Sequence, residues 1–352
     1  MLMPPILHAD HPLRIFFFSG LITIAALVFV GVELGVAALI VAIVLILVEV
    51  MFSFDNAIIN AKVLMTMSRF WQTIFITIGI LIAVVGMRLV FPILIVMITA
   101  GLGADEVINL ALNQPDLYSE KLEQSKVAIS SFGGMFLLML CLHFFFDPSR
   151  KVRWISIVEK PLQQLGPWWT YALASLMVLL VISFAPFNSH PTETLFAGMM
   201  GIITYMGIHG LADLFTRKQM ISEGTGKMVV KTGMAGFMSF IYLEVLDASF
   251  SFDSVIGAFA ITQDVVLIAI GLGIGALWVR SLTIFMVRKQ VLHAYRYLEH
   301  GAHYTIGILA AFLLSGMFIH IPEAVAGITG LAVVGLSIAS SIAATKRDAL
   351  AK

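Results

Sequence analysis

The chain has 352 residues, 60% of them hydrophobic and only 12% charged, with 21 Lys and Arg against 21 Asp and Glu. Soluble domains carry about twice that share of charge, so a soluble globular protein is excluded, and zero net charge gives no sign of a nucleic-acid partner. Cys141, the single cysteine, lies in an apolar stretch; no intrachain disulfide can form, and a small packing role is expected.

Crossing the hydrocarbon layer takes about 20 apolar residues. On that rule the chain reads as an all-α polytopic membrane protein of about ten transmembrane helices. They are expected near 13–31, 34–59, 71–99, 128–147, 167–187, 194–215, 232–253, 263–287, 302–320 and 323–343. The first segment is long enough to span and no small-residue cleavage pattern follows it, so it reads as a span and not as a cleaved signal. Between the third and fourth spans, residues 101–127 mix Asn, Asp, Glu and Lys with spaced Leu and Val, which predicts a solvated connector with a short surface helix. Farther along, Glu299, His300 and His303, and His143 with Asp147, fall at span ends and read as solvated boundary residues. His209 and Asp213, four residues apart, read as a capping or interfacial pair.

The charges check the span count independently. Lys121 and Lys126 lie in the 101–127 connector and Arg88 and Arg280 fall inside spans; every other Lys and Arg falls on the opposite face. The positive-inside rule then puts both termini in the cytoplasm of a multi-pass plasma-membrane protein.

One phrase occurs twice. Glu49–Ile58 reads EVMFSFDNAI and Asp247–Ile256 reads DASFSFDSVI, identical at five of ten positions. The helices that follow also correspond: Ile78–Arg88 (IGILIAVVGMR) aligns with Ile270–Arg280 (IGLGIGALWVR), so Arg88 matches Arg280. Five spans separate the partners, an odd number, which predicts a 5+5 inverted repeat. Residues 1–160 hold the first acidic motif (49–58) and 161–352 the second (247–256), within a single integrated membrane domain. Inverted repeats are a common transporter plan, with the site near the midplane.

A carboxylate at the centre of a membrane helix costs about 2.5–3.5 kcal/mol on insertion scales. Keeping two pairs of them predicts a use, and the natural one is a cation. On a helix Glu49, Ser53 and Asn56 share one stripe, and Asp247, Ser251 and Ser254 share its counterpart. Asp55 and Asp253 lie off those stripes, so either the helix unwinds near the SFD sequence or the second acid faces a neighbouring helix. The expected metal-binding residues are Glu49, Asp55, Asn56, Asp247, Asp253 and Ser254. Ser53, Ser251, Glu244, Arg88 and Arg280 are expected to support them, the arginines chiefly as counter-charges. All the donors are oxygens and neither motif contains His or Cys. Hard or borderline ions such as Mn²⁺, Ca²⁺ or Mg²⁺ therefore suit the set better than zinc or copper(I). Crowded acids keep one another protonated, which makes exchange of metal for protons chemically reasonable.

These residues resemble the TerC family of integral membrane proteins, which belongs with the LysE group of exporters. The resemblance rests on Glu49, Ser53, Asp55, Asn56 and Ala57 in the first half. In the second it rests on Asp247, Phe250, Ser251, Asp253, Ser254 and the Ala260–Ile261–Thr262 triplet. The chain is longer than many members and has Gly257 where proline or alanine is expected, as a divergent branch would. The resemblance implies efflux of manganese or a related divalent ion, a function sometimes described as tellurium resistance.

The leading expectation is thus a divalent cation transporter in the lipid bilayer, with manganese favoured and calcium the alternative. The metal is cargo, and no permanently bound cofactor is expected. A calcium/cation exchanger and a non-transporting metal-handling scaffold remain open beside it. An enzyme is not expected: neither the zinc motif H-E-x-x-H nor a phosphate-binding G-x-x-x-x-G-K-[ST] occurs. An aspartyl protease built on Asp55 and Asp253 fits the duplicated serines less well than a cation site does.

Overall fold

The structure, a computed structural model, describes residues 11–166, 169–223, 230–319 and 321–350, without the side chains of Glu223, Phe252, Asp253, Ala260, Glu323 and Ala324. Among these residues every regular element is a helix. In chain order they are α1 (Pro12–Glu33), α2 (Gly35–Phe52), α3 (Phe54–Met65), α4 (Arg69–Leu81), a π-helical stretch (Ile82–Val90) and α5 (Phe91–Ala100). Then come α6 (Ala104–Asn113), α7 (Pro115–Gln124), α8 (Lys126–Phe146), α9 (Ser156–Gln164), α10 (Thr170–Ser183) and α11 (Pro191–Glu223). The chain closes with α12 (Gly233–Ile261), α13 (Val265–Arg288), α14 (Val291–Ala294), α15 (Leu298–Gly316) and α16 (Glu323–Leu350).

This is an all-α polytopic membrane protein. Among the described residues eight helical stretches are long and apolar enough to cross a bilayer, where ten spans are expected from the sequence. The two others are helical but fall short for identifiable reasons. The apolar helix α10 has only 14 residues, and α15 carries Glu299, His300 and His303 in its first two turns.

Local signals account for the helix ends. Pro12 starts α1, where its missing N–H costs nothing, and the His11 side chain accepts from the Leu13 N–H at 3.3 Å. Asp264 caps α13 through the N–H groups of Val266 (2.9 Å) and Leu267 (3.0 Å). Gly101, at φ +67°, ends α5 in the left-handed conformation that glycine adopts without steric cost. The connector that follows folds into two short surface helices, α6 and α7, which bury Val107, Ala111, Tyr118 and Leu122.

The chain folds into two compact units: Met1–Ser125 with Leu243–Gln290, and Lys126–Tyr242 with Val291–Lys352. This division by compactness runs differently from the sequence division at residue 160, and both acidic motifs fall within the first unit. There α13 is the central helix, packed on α1, α2, α3 and the π-helical stretch. Gly271 and Gly275, one turn apart, let α13 lie against α2: a Cβ on either would come within 2.5 Å of a side-chain carbon of Leu45 or Glu49. On α13's other flank Ser281 and Ser19 share a 2.6 Å hydrogen bond, and Trp278 Nε1 donates to Thr23 at 2.9 Å.

In the second unit α8 is central, packed on α10, α11 and α15. Gly134 faces Leu314, and Cys141 packs its buried thiol against Gly307, the packing role expected of it. Two of the span-end histidines, His300 and His303, are not solvated, which corrects the expectation for them, while His143 is half-buried. His300 and His303 are buried, because the Phe144 ring stacks on His303 and Glu159 lies 3.6 Å from His300. His143 accepts or donates a 2.7 Å hydrogen bond with Tyr205 and stacks on Tyr171. Beside them Arg150, just past α8, pairs with Glu299 at 2.8 Å, and burial lowers its pKa to about 10 against the pull of Asp147 and Glu159.

Candidate functional site

Glu49 lies on the face of α2 that meets α13 and is fully buried. Its position follows from the sequence of both helices: Leu45 and Glu49, one turn apart, meet the two glycines of α13. The carboxylate accepts from Ser53 Oγ at 3.0 Å and is ion-paired with Arg88 of the π-helical stretch. Arg88 also donates to the Ala83 carbonyl at 2.5 Å. A π-helical turn shifts side chains round the axis relative to an α-helix, and such stretches are frequent at functional sites.

The run of helix breaks at Ser53, where φ −101° and ψ 12° leave the helical region. A new helix, α3, starts at Phe54, with Asp55 in its first turn and accepting the Asn56 N–H at 3.0 Å. This answers, for the first motif, the choice between unwinding and an unbroken helix. In the second motif α12 continues without interruption from Gly233 to Ile261.

Asp247 of α12 is the meeting point of the two motifs. Its Oδ1 accepts from Asn56 Nδ2 at 2.5 Å and Asn60 Nδ2 at 3.0 Å, and its Oδ2 pairs with Arg280 of α13 at 2.5 Å. Corresponding acids thus take corresponding arginines, Glu49 with Arg88 and Asp247 with Arg280. Arg280 is fixed further by the Gly79 carbonyl at 3.2 Å and by the Phe75 ring, whose centroid lies 3.7 Å from its guanidinium carbon. Glu244 approaches the same guanidinium at 3.5 Å, in a space left open by Gly79, where a Cβ would come within 2.7 Å of Glu244 Oε1.

Of the expected site residues, Glu49, Ser53 and Arg88 form one set of direct contacts, and Asn56, Glu244, Asp247 and Arg280 form another. Asp55 is buried beside them on α3. Ser251 and Ser254 are buried on α12, but the Ser254 hydroxyl donates to the Ser251 carbonyl at 2.9 Å and not to an acid. The side chain of Asp253 lies outside the described residues. Asn60 is a site residue that sequence reasoning misses. The signal is present, since Asn60 continues the stripe of Glu49, Ser53 and Asn56 by one more turn.

Several buried oxygens here have no hydrogen-bond donor: Glu49 Oε2, Asp55 Oδ2, Asn56 Oδ1, Asn60 Oδ1 and both oxygens of Glu244. Buried acceptors are normally satisfied. Among the described residues no group of three or more His, Cys, Asp and Glu side chains forms a ready metal cage. Two of the acids are instead occupied by arginine. Among the described side chains, counting Glu49, Asp55, Glu244 and Asp247 as ionised against Arg88 and Arg280, these buried groups sum to a formal charge of 2 − 4 = −2. One divalent cation or two protons would balance it.

Fold and site define a polytopic helical membrane protein with a duplicated, buried acid–arginine pair. A family model described as "Protein of unknown function (DUF475)" matches residues 54–348, and the chain belongs to that family. The match opens inside the first motif and takes in the whole of the second. Comparison with curated proteins and with solved structures gave no match.

Proposed function

We propose that this protein moves a divalent metal cation across the plasma membrane, manganese outward from the cytoplasm, as its resemblance to the TerC family implies. Both termini then lie in the cytoplasm. The observation that carries the reading is the set of buried oxygens without donors, among described side chains whose buried acids outnumber the arginines by two. Carboxylate and amide oxygens are the ligands that Mn²⁺ and Ca²⁺ prefer.

In this reading Arg88 and Arg280 are tethered counter-ions. They hold Glu49 and Asp247 neutralised while no substrate is present, so that two buried carboxylates never stand unpaired in the membrane. An entering cation binds first where no arginine competes, at Asp55 and the Asn56 and Asn60 carbonyl oxygens, and then draws in Glu49. Protons leaving the remaining acids keep the charge balanced.

Asp55→Asn is the cleanest test, because among the described residues no arginine pairs with Asp55 and asparagine keeps an acceptor for the Asn56 N–H. Purified protein in liposomes loaded with a metal-sensitive dye should pass Mn²⁺, and the Asp55→Asn protein should not. Equal flux through both would sink the site assignment. Absence of Mn²⁺, Ca²⁺ and Mg²⁺ flux through the wild type would favour the metal-handling scaffold, and competition between Mn²⁺ and Ca²⁺ would separate exporter from calcium exchanger.

A further inference from the structure

The connector between α8 and α10 holds a helix whose two sides are the wrong way round for water. The turns of α9 place Ile157, Val158, Pro161 and, just past its end, Leu165 on one side, with Glu159 and Gln163 on the other. The polar side is the buried one. Glu159 accepts from the N–H groups of Trp154 and Ile155, both at 3.0 Å, and from the Tyr304 hydroxyl at 3.2 Å. Gln163 Oε1 accepts from Arg153 Nε at 2.6 Å. The apolar side faces outward: Ile157 is 89% exposed, Val158 44% and Leu165 53%.

A surface helix in water does the opposite, turning its apolar stripe to the core and its polar face to solvent. The reversal in α9 fits an apolar neighbour outside the protein. The helix is also fixed in place. It packs on α8, and just before it His300 Nε2 donates to the Val152 carbonyl at 3.0 Å.

Depth and charge point to the same neighbour. Trp169 stands exposed immediately before α10, and tryptophan at a span end marks the headgroup level of a bilayer. Residues 151–166 carry Lys151, Arg153 and Lys160, all exposed, against one acid, the buried Glu159. The outward charge of this stretch is therefore wholly positive, the complement of an anionic lipid surface.

We propose that α9 is an interfacial helix that binds anionic phospholipid of its own membrane. Ile157, Val158 and Leu165 sit among the first acyl carbons, and Lys151, Arg153 and Lys160 meet the phosphate groups above them. The site is separate from the buried acids and does not depend on the transport reading.

Depth is tested with nitroxide spin labels on full-length Cys141→Ala protein in vesicles of phosphatidylcholine and phosphatidylglycerol. Oxygen concentrates in hydrocarbon, whereas a nickel chelate stays in water. A label on Ile157→Cys should collide more with oxygen. A label on Ser222→Cys, near the end of the 33-residue α11 and beyond the hydrocarbon layer, should collide more with nickel. An Ile157→Cys label as open to nickel as the Ser222→Cys label would overturn the proposal. So would a label shielded from both reagents, which would mean that a protein or a second copy covers the helix. Headgroup binding is tested by native mass spectrometry of delipidated protein. Phosphatidylglycerol should bind in preference to phosphatidylcholine, and Lys151→Gln/Lys160→Gln should weaken it about tenfold or more. Arg153 is left in place because it holds Gln163. Lys218→Gln, a charge on another loop, should bind as wild type does. Undiminished binding by the double variant, or an equal loss in Lys218→Gln, would also overturn the proposal, and thermal unfolding checks that each variant is folded.

Discussion

In the motif around Glu49 the helix breaks at Ser53, whereas around Asp247 α12 runs through the same FSFD sequence unbroken. The acids also differ in what surrounds them. Glu49 has one hydroxyl and one guanidinium, both from its own half of the repeat. Asp247 has a guanidinium from its own half and two amides, Asn56 and Asn60, from the other. A duplicated sequence has become two unequal parts. The broken copy supplies unpaired oxygens, and the continuous copy supplies the acid that ties both copies together.

The largest effects should come from the arginines. Replacing Arg280 by Met strips the counter-charge from Asp247 and Glu244 together, while Arg88→Met strips it from Glu49 alone. Breaking a buried pair on one side costs about 3–5 kcal/mol, so both should unfold at lower temperature in detergent, Arg280→Met the more so. Adding Glu49→Gln to Arg88→Met should recover much of that loss. Equal losses for the two single variants, with no recovery in the double, would break the assignment of one arginine to each acid.

Next are the glycines. An alanine at Gly275 puts its Cβ within 2.5 Å of Glu49 Cβ, close to the helix axis where nothing yields, and overpacking of this kind costs about 1–3 kcal/mol. An alanine at Gly79 meets the carboxylate end of Glu244, a flexible side chain that can swing aside, and should cost less. Thermal unfolding of the two variants would measure the difference; a milder Gly275→Ala would mean that α2 and α13 are free to part.

The smallest substitution sharpens the same contrast. Ser53→Ala removes a hydrogen bond to Glu49, worth about 1.5–3 kcal/mol for a charged acceptor. Ser251→Ala, at the matching place in α12, removes no bond to Asp247 and should change stability by less. Parallel melts of the two proteins suffice, and equal losses would mean that the copies are more alike than their hydrogen bonds.

Much of the site can be read from the chain. Glu49, Asp55, Asn56, Asp247 and both arginines stand out because charged residues are costly in apolar helices and because they recur at matching places. Asn60 is legible by the same stripe but does not stand out, since an amide near a span end carries no such cost. Glu159 cannot be found this way. It lies outside the spans and becomes buried only because the N–H groups of Trp154 and Ile155 and the Tyr304 hydroxyl converge on its carboxylate.

By itself the sequence determines the membrane class, the helical content, the repeat and the identity of the acids, because hydropathy, charge and spacing are local or countable properties. The break at Ser53 in one copy but not the other, the choice of arginine for each acid and the meeting of both motifs at Asp247 are decided by tertiary structure. The FSFD segment shared by both copies has the same propensity in each. They differ because helix neighbours supply different partners, and in a membrane no water is at hand to replace them.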